Sequence, residues 1–203
     1  MILQLKITLQ GTEDPVVWRR VQLDSESNFF ELHAIIQGIF GWENSHLWEF
    51  FPNTRGPVSV RIGFVPDEDD MDMMDVDDEM EDSDLTPVGK YLKKKGDTFR
   101  YLYDFGDSWE HLITVEKVTE GELELPVCLE GVGASPLEDI GGVPGYYYML
   151  EVIADPTHPE HSDFREWMGL DEGESWDKDF FSVEEANEVI KMMYSEEDDL
   201  EEE

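Results

Sequence analysis

The sequence predicts an α+β fold: a mainly antiparallel sheet with one long helix packed on it and C-terminal helices beside it. Three observations carry that expectation. Leu3, Leu5, Ile7 and Leu9 alternate with Gln4, Lys6, Thr8 and Gln10, the period-two pattern of a half-buried strand. The stretch Tyr101 to Val118, YLYDFGDSWEHLITVEKV, reads as two strands joined by a turn rich in Asp and Gly. Between them, Phe29, Leu32, His33, Ile36, Ile39 and Phe40 recur at helical spacing.

Each element has its own local signals. Gly11 to Pro15 is a turn, and Val17, Arg19, Val21 and Leu23 alternate again, which predicts a second strand over Val16 to Leu23, paired with the first. Asn28 with Glu31 three residues on forms a capping box for the first helix, and Gly41 suits its exit. His33 lies on that helix's apolar face, where a hydrogen-bonded core histidine is the expectation. His46 to Phe51 and Val58 to Phe64 read as two further strands around a Pro- and Gly-containing turn. Leu125 to Leu129 reads as another. Glu130 to Gly145 is a glycine-rich loop entering a helix near Pro144, with Tyr146, Met149, Leu150 and Ile153 as the buried stripe and Asp155-Pro156 as the stop. Pro159 opens a short helix containing Phe164, Trp167 and Met168. Ser182-Val183-Glu184-Glu185 is a second capping box, followed by Ala186, Val189, Ile190, Met193 and Tyr194 at helical spacing.

Charge sets the class of partner. The chain has 50 acidic and 14 basic residues, a formal net charge of −36. Asp67 to Asp84 holds twelve acids in eighteen residues and Ser195 to Glu203 seven in nine; removing those nineteen still leaves an acidic body. Like charges so dense repel one another, so 67–84 is expected as a mobile insertion in a single domain spanning 1–194, with 195–203 as a frayed acidic tail. Direct nucleic-acid binding is disfavoured, because it needs cations to displace counterions from phosphate. A basic protein is the partner that the charge favours. Cys128 alone excludes an intramolecular disulfide, and no signal-peptide pattern or membrane-length apolar run occurs, so a cytoplasmic location is expected.

The chemistry-bearing residues gather around the Tyr101–Val118 hairpin. The candidate ligand pocket is His46, Asp104, Asp107, Trp109 and His111, with Glu138 and Asp139 from the glycine-rich loop. Asp104, Asp107 and His111 are expected near one end of the hairpin, beside Trp109. Asp104-Phe105-Gly106 matches the kinase magnesium tripeptide, but no glycine-rich nucleotide loop or catalytic-loop pattern accompanies it. The acidic run lacks the glycine of an EF-hand loop, and the glycine-rich loop matches neither a phosphate loop nor a dinucleotide fingerprint. No cofactor, no metal and no catalytic residue is predicted from these patterns.

The phrases LKITLQGTEDPVVWRRV, ELHAIIQGIFGW, HLWEF, YLYDFGDSWEH, CLEGVGASPLEDIGG and DPTHPEH together resemble the plasmid pRiA ORF-three-like family, some members of which carry TnpR-like or resolvase-like labels. The resemblance spans roughly Met1 to His161 and implies no established activity. Relatives commonly carry two cysteines in the glycine-rich loop; Ser135 and Ile140 stand at those positions here. A thiolate zinc site in relatives would therefore be absent from this chain or rebuilt from histidine and carboxylate. The function expected is a non-catalytic binding or interaction module. The alternatives are a metal-assisted hydrolase using Asp104, Asp107 and His111, and an accessory factor in mobile-element DNA transactions, which rests on the family label.

Overall fold

The computed structural model describes residues 1–54, 60–65 and 80–201, with the backbone alone from 196. Its strands are β1 (Ile2–Leu9), β2 (Trp18–Asp24), β3 (Trp48–Pro52), β4 (Arg61–Gly63), β5 (Met80–Asp82), β6 (Thr98–Tyr103), β7 (Trp109–Thr119) and β8 (Val127–Val132). They form one sheet in the order β5-β4-β3-β6-β7-β1-β2-β8. Every neighbouring pair is antiparallel except β4 and β5. The helices are α1 (Phe29–Phe40), α2 (Gly142–Ala154), α3 (His161–Trp167) and α4 (Val183–Glu201). The fold is α+β.

Alternation along the strands separates the two faces of the sheet. Leu3, Leu5, Ile7 and Leu9 of β1, Val21 and Leu23 of β2, Tyr101 and Tyr103 of β6, and Trp109, Ile113 and Val115 of β7 all point into one core. The intervening residues face the other way and pair with one another. There Arg20 bridges Glu116 at 2.5 Å and also reaches Glu130, while Lys6 lies 4.4 Å over the Trp18 ring. Burying roughly thirty apolar side chains on one face supplies the main driving force, since each fully buried Leu, Ile, Val or Phe contributes about 1.5–3 kcal/mol.

The first helix closes that face. Asn28 and Glu31 make the reciprocal capping box, and Gly41 takes the left-handed conformation at its end with φ 72°. Phe29, Leu32, Ile35, Ile36, Ile39 and Phe40 are buried against the sheet. Helix α4 packs across α1 and beside β8. A Cβ at Gly38 of α1 would come within 2.8 Å of Val189 of α4, so glycine permits the close approach. Asn187 then accepts from the Cys128 amide and donates to the Cys128 carbonyl, both at 2.8 Å. A helix side chain thereby occupies hydrogen-bonding groups of the edge strand β8.

Several expected boundaries move. Strand β3 begins at Trp48 rather than His46, which leaves His46 in the connection after α1. The strand expected over Val58 to Phe64 contains β4 at Arg61–Gly63, and residues 55–59 lie outside the described residues. Most of the insertion expected at 67–84 also lies outside them, but its end is a strand, because Met80–Asp82 pairs in parallel with β4 and Ser83 is fully buried. Strand β8 runs two to three residues later than Leu125 to Leu129. In α2 the buried residues are Tyr146, Met149 and Val152, with Leu150 and Ile153 half-buried. Helix α4 continues through Glu201, into the stretch expected to fray.

Candidate functional site

Three connections meet at one end of the sheet. The first is the link between α1 and β3. Its position depends on a core histidine: His33 Nδ1 meets the Tyr101 hydroxyl at 2.8 Å, and its Nε2 meets Asn44 Oδ1 at 2.8 Å. The His33 ring stacks on Trp48 with centroids 3.9 Å apart. Burial pushes its imidazole down to about 4, against the Asn44 hydrogen bond, which favours the charged form. The Asn44 amide donates to Gln37 Oε1 at 3.0 Å, and Asn44 adopts φ 54°. This bracing presents Ser45 and His46 at the surface.

The second connection is the β6–β7 turn. Asp104 has φ 54°, a conformation that Asp and Asn tolerate better than most residues. Its amide donates to the Leu47 carbonyl at 2.9 Å, and its carbonyl accepts from Ser108 at 2.6 Å. Oδ1 accepts from the Gly106 amide at 2.8 Å, which turns Oδ2 toward His46.

The third is the glycine-rich loop, which Asp107 and Trp42 dock in place. Asp107 Oδ2 accepts from the Gly141 amide at 3.0 Å, and Trp42 Nε1 donates to the Pro136 carbonyl at 3.0 Å. Gly142, at φ 67°, passes so close that a Cβ there would lie 2.5 Å from the Asp107 carbonyl oxygen.

The result is a corner in which three carboxylates surround one imidazole. His46 Nε2 lies 3.0 Å from Asp139 Oδ1, 3.7 Å from Glu138 Oε1 and 3.9 Å from Asp104 Oδ2. A protonated His46 is attracted to all three. Yet Nε2 is shielded from water and makes no hydrogen bond; the 3.0 Å approach of Asp139 lacks the required alignment. Glu138 is the best supported of the acids. Tyr103 Oη donates to Glu138 Oε1, Ser45 Oγ donates to the same oxygen at 2.9 Å, and the Glu43 amide donates to Oε2 at 2.6 Å. Burial alone would raise its carboxyl, but the bonds from Tyr103, Glu43 and Ser45, with nearby His46, hold it below the usual carboxylate range. The Tyr103 hydroxyl is pushed up, by burial first and then by its bond to Glu138. Leu47 and Phe105, both largely exposed, stand at the chain positions next to His46 and Asp104.

Of the seven residues expected to form the pocket, the structure brings together His46, Asp104, Glu138 and Asp139, while Asp107 acts from behind as a clamp on the loop. Two do not belong. Trp109 is fully buried in the core. His111 pairs with Tyr101 inside the hairpin rather than at its end, and is also fully buried. Its Nδ1 lies 3.1 Å from the Trp109 carbonyl, its ring meets Phe40 edge-on, and burial holds it down to about 3. Alternation along the strand sets His111 on one face with Trp109, Ile113 and Val115; that face is the core, and pairing with Tyr101 places His111 inside the hairpin and away from the corner. Fully buried, His111 cannot reach a substrate or a water, so it does not supply the base that the alternative hydrolase reading asked of it. Sequence reasoning also missed Tyr103 and Ser45, the donors to Glu138. The polar run Glu43-Asn44-Ser45-His46, just after the Gly41 stop and the buried Trp42, was the available signal.

The profile of the family described as Plasmid pRiA4b ORF-3-like protein matches residues 1–185. The chain belongs to this family. It is 37% identical over 191 residues to "Uncharacterized protein y4hQ" of Sinorhizobium fredii (strain NBRC 101917 / NGR234), covering 91% of this chain and 90% of that one. It also resembles the crystal structure of "Protein of Unknown Function MM3350 from Methanosarcina mazei Go1", with a TM-score of 0.72, 31% identity, and coverage of 90% of this chain and 96% of that chain. These relatives fix family and fold, and their titles assign no activity. Among the described residues, no helix is long and apolar enough to cross a membrane.

Proposed function

We propose that the protein is a non-catalytic binding module whose recognition feature is the corner of His46, Asp104, Glu138 and Asp139, and that its ligand presents a cationic group. The observation that carries this reading is the convergence of three carboxylates on a solvent-shielded imidazole nitrogen that no hydrogen bond satisfies. Such an arrangement concentrates negative potential at one end of the sheet. Leu47 and Phe105 add apolar surface beside it, which suits the methylene stem or flat face of a basic side chain. A basic protein is the partner that this chemistry and the −36 charge both favour.

The test is calorimetric titration of the full chain with an arginine-containing basic peptide, set against the Asp104→Asn/Asp139→Asn double variant. Both substitutions keep side-chain size and suit the left-handed conformation at these positions. The variant should bind at least about tenfold more weakly, a loss of about 1.4 kcal/mol. Equal affinity in the two proteins would assign the binding to the acidic segments and remove the corner from the reading.

A further inference from the structure

We infer that the corner is a divalent transition-metal site, with His46, Asp104 and Asp139 as its protein ligands. The inference rests on reading the corner as a cation-binding site, and it names the cation.

Spacing comes first. One ligand atom each from His46, Asp104 and Asp139 can be chosen so that all lie within 4.8 Å of one another. With bonds of about 2.0–2.2 Å, adjacent ligand atoms around a metal ion sit about 3 Å apart and opposite ones about 4 Å apart. The 3.0 Å between His46 Nε2 and Asp139 Oδ1 and the 3.9 Å between Nε2 and Asp104 Oδ2 match those separations.

Hydrogen bonding points the same way. A neutral Nε2 carrying a lone pair is repelled by three carboxylates, and one carrying a proton should donate it to a carboxylate. It does neither with bonding geometry, although the atom is shut off from water. A cation placed among these atoms uses the lone pair of Nε2 and the charge of the carboxylates together. This orphaned nitrogen is separate from the clustering of acids, which on an acidic surface would mean little alone.

Preparation of the ligands is the third argument. They come from three different connections, and each backbone is fixed by bonds that do not use the ligand atom. Asp104 spends Oδ1 on Gly106 and keeps Oδ2 for the corner. Asp139 sits at φ 60°, next to a loop clamped by Asp107. Glu138 already accepts from Tyr103, Ser45 and the Glu43 amide, so it supplies charge beside the metal rather than a free ligand atom. The donor set selects the ion. Imidazole nitrogen with two carboxylates suits zinc, manganese or ferrous iron, whereas calcium takes an all-oxygen shell. Cys128 takes no part, since it is buried in β8 against Asn187.

The full chain, stripped with chelator, is dialysed against Zn2+ and separately Mn2+ and its metal content measured; Co2+ is added in parallel and its visible ligand-field absorption recorded. His46→Ala and Asp139→Asn are the variants, and their circular dichroism confirms the fold. Both side chains are solvent-accessible, Asp139 at 69%, so neither supports the core. The acidic segments give the same background in every protein. The expected result is one tight equivalent per chain, weakened at least about tenfold in each variant, because losing a ligand costs no less than the tenfold to hundredfold typical of losing its supporting partner. The Co2+ absorption should change with His46→Ala. Equal metal content and unchanged spectra across the three proteins overturn the metal assignment. If the basic peptide still distinguishes wild type from Asp104→Asn/Asp139→Asn, cation recognition by the corner survives that outcome. If neither metal nor peptide distinguishes them, both readings fall.

Discussion

The two core histidines should make stability fall steeply in mild acid. His33 and His111 are both fully buried, and burial holds their imidazoles down to about 4 and about 3, from an ordinary value of 6.5. In the unfolded chain each picks up a proton as the pH drops below 6.5, whereas in the native state each stays neutral. The unfolded state then binds more protons, so stability present above pH 6.5 is lost as the pH falls toward the native-state values. Between about pH 7.5 and about pH 5 the loss is about 2 kcal/mol for each histidine, since neither is appreciably protonated in the folded state over that window. Together they remove about 4 kcal/mol, a large share of the 5–15 kcal/mol typical of a domain.

Urea unfolding at closely spaced pH values measures this directly. The acidic residues complicate the wild-type curve alone, because protonating carboxylates relieves repulsion in a chain of charge −36. The comparison that isolates the effect is wild type against His33→Gln, which keeps polar atoms for Tyr101 and Asn44 but cannot titrate. The variant is expected to be less stable at neutral pH, yet the gap should close by about 2 kcal/mol on going to about pH 5. Parallel curves for the two proteins would refute the placement of His33 as a neutral buried group.

Two further substitutions probe how the connections are held. Gly142→Ala places a Cβ at a left-handed position and 2.5 Å from the Asp107 carbonyl oxygen; it should cost roughly 2 kcal/mol in urea unfolding and weaken ligand binding at the corner, because the loop carrying Glu138 and Asp139 must shift. Asn187→Ala removes both bonds to the Cys128 backbone and should cost roughly 1–3 kcal/mol, with amide exchange at Cys128 accelerating while that of β1 stays slow.

The sheet was readable because its face assignment is written in period two. Leu3 to Leu9 and Trp109 to Val115 alternate cleanly, and their inward members are the buried ones. Helix α1 was readable because Asn28, Glu31 and Gly41 mark both ends. The pairing order of eight strands was not, since nothing local to β3 specifies that it joins β6 across more than forty residues. The corner was half legible. His46, Asp104, Glu138 and Asp139 stood out as ionisable groups in turns, where turn chemistry leaves side chains free. His111 misled because it was weighed for its chemistry, although its alternation with Trp109, Ile113 and Val115 already sets it on the face that is buried. The proposed ligand set was not legible because its members are far apart in the chain. His46, Asp104 and Asp139 lie in three separate connections, so no fixed spacing in the chain links them.

Charge also explains why local bracing matters more here than total negative charge. At physiological ionic strength the screening length is about 8 Å, so acids elsewhere on the surface contribute little to the potential at the corner. What distinguishes Asp104 and Glu138 from the many other carboxylates is that hydrogen bonds hold their side chains, while Asp139 is placed beside them by the clamped loop that carries it. Holding them together costs repulsion, which is offset by donors from Gly106, Tyr103, Ser45 and the Glu43 amide. An exposed acidic stretch collects cations weakly and without choice, because its side chains must be ordered each time. Here the ordering is supplied by the fold itself: His33 and Gln37 brace Asn44 beside His46, and Asp107 clamps the glycine-rich loop. The buried aromatic core and the surface carboxylates therefore act as one device, in which hydrophobic burial fixes the frame and the frame fixes the charges.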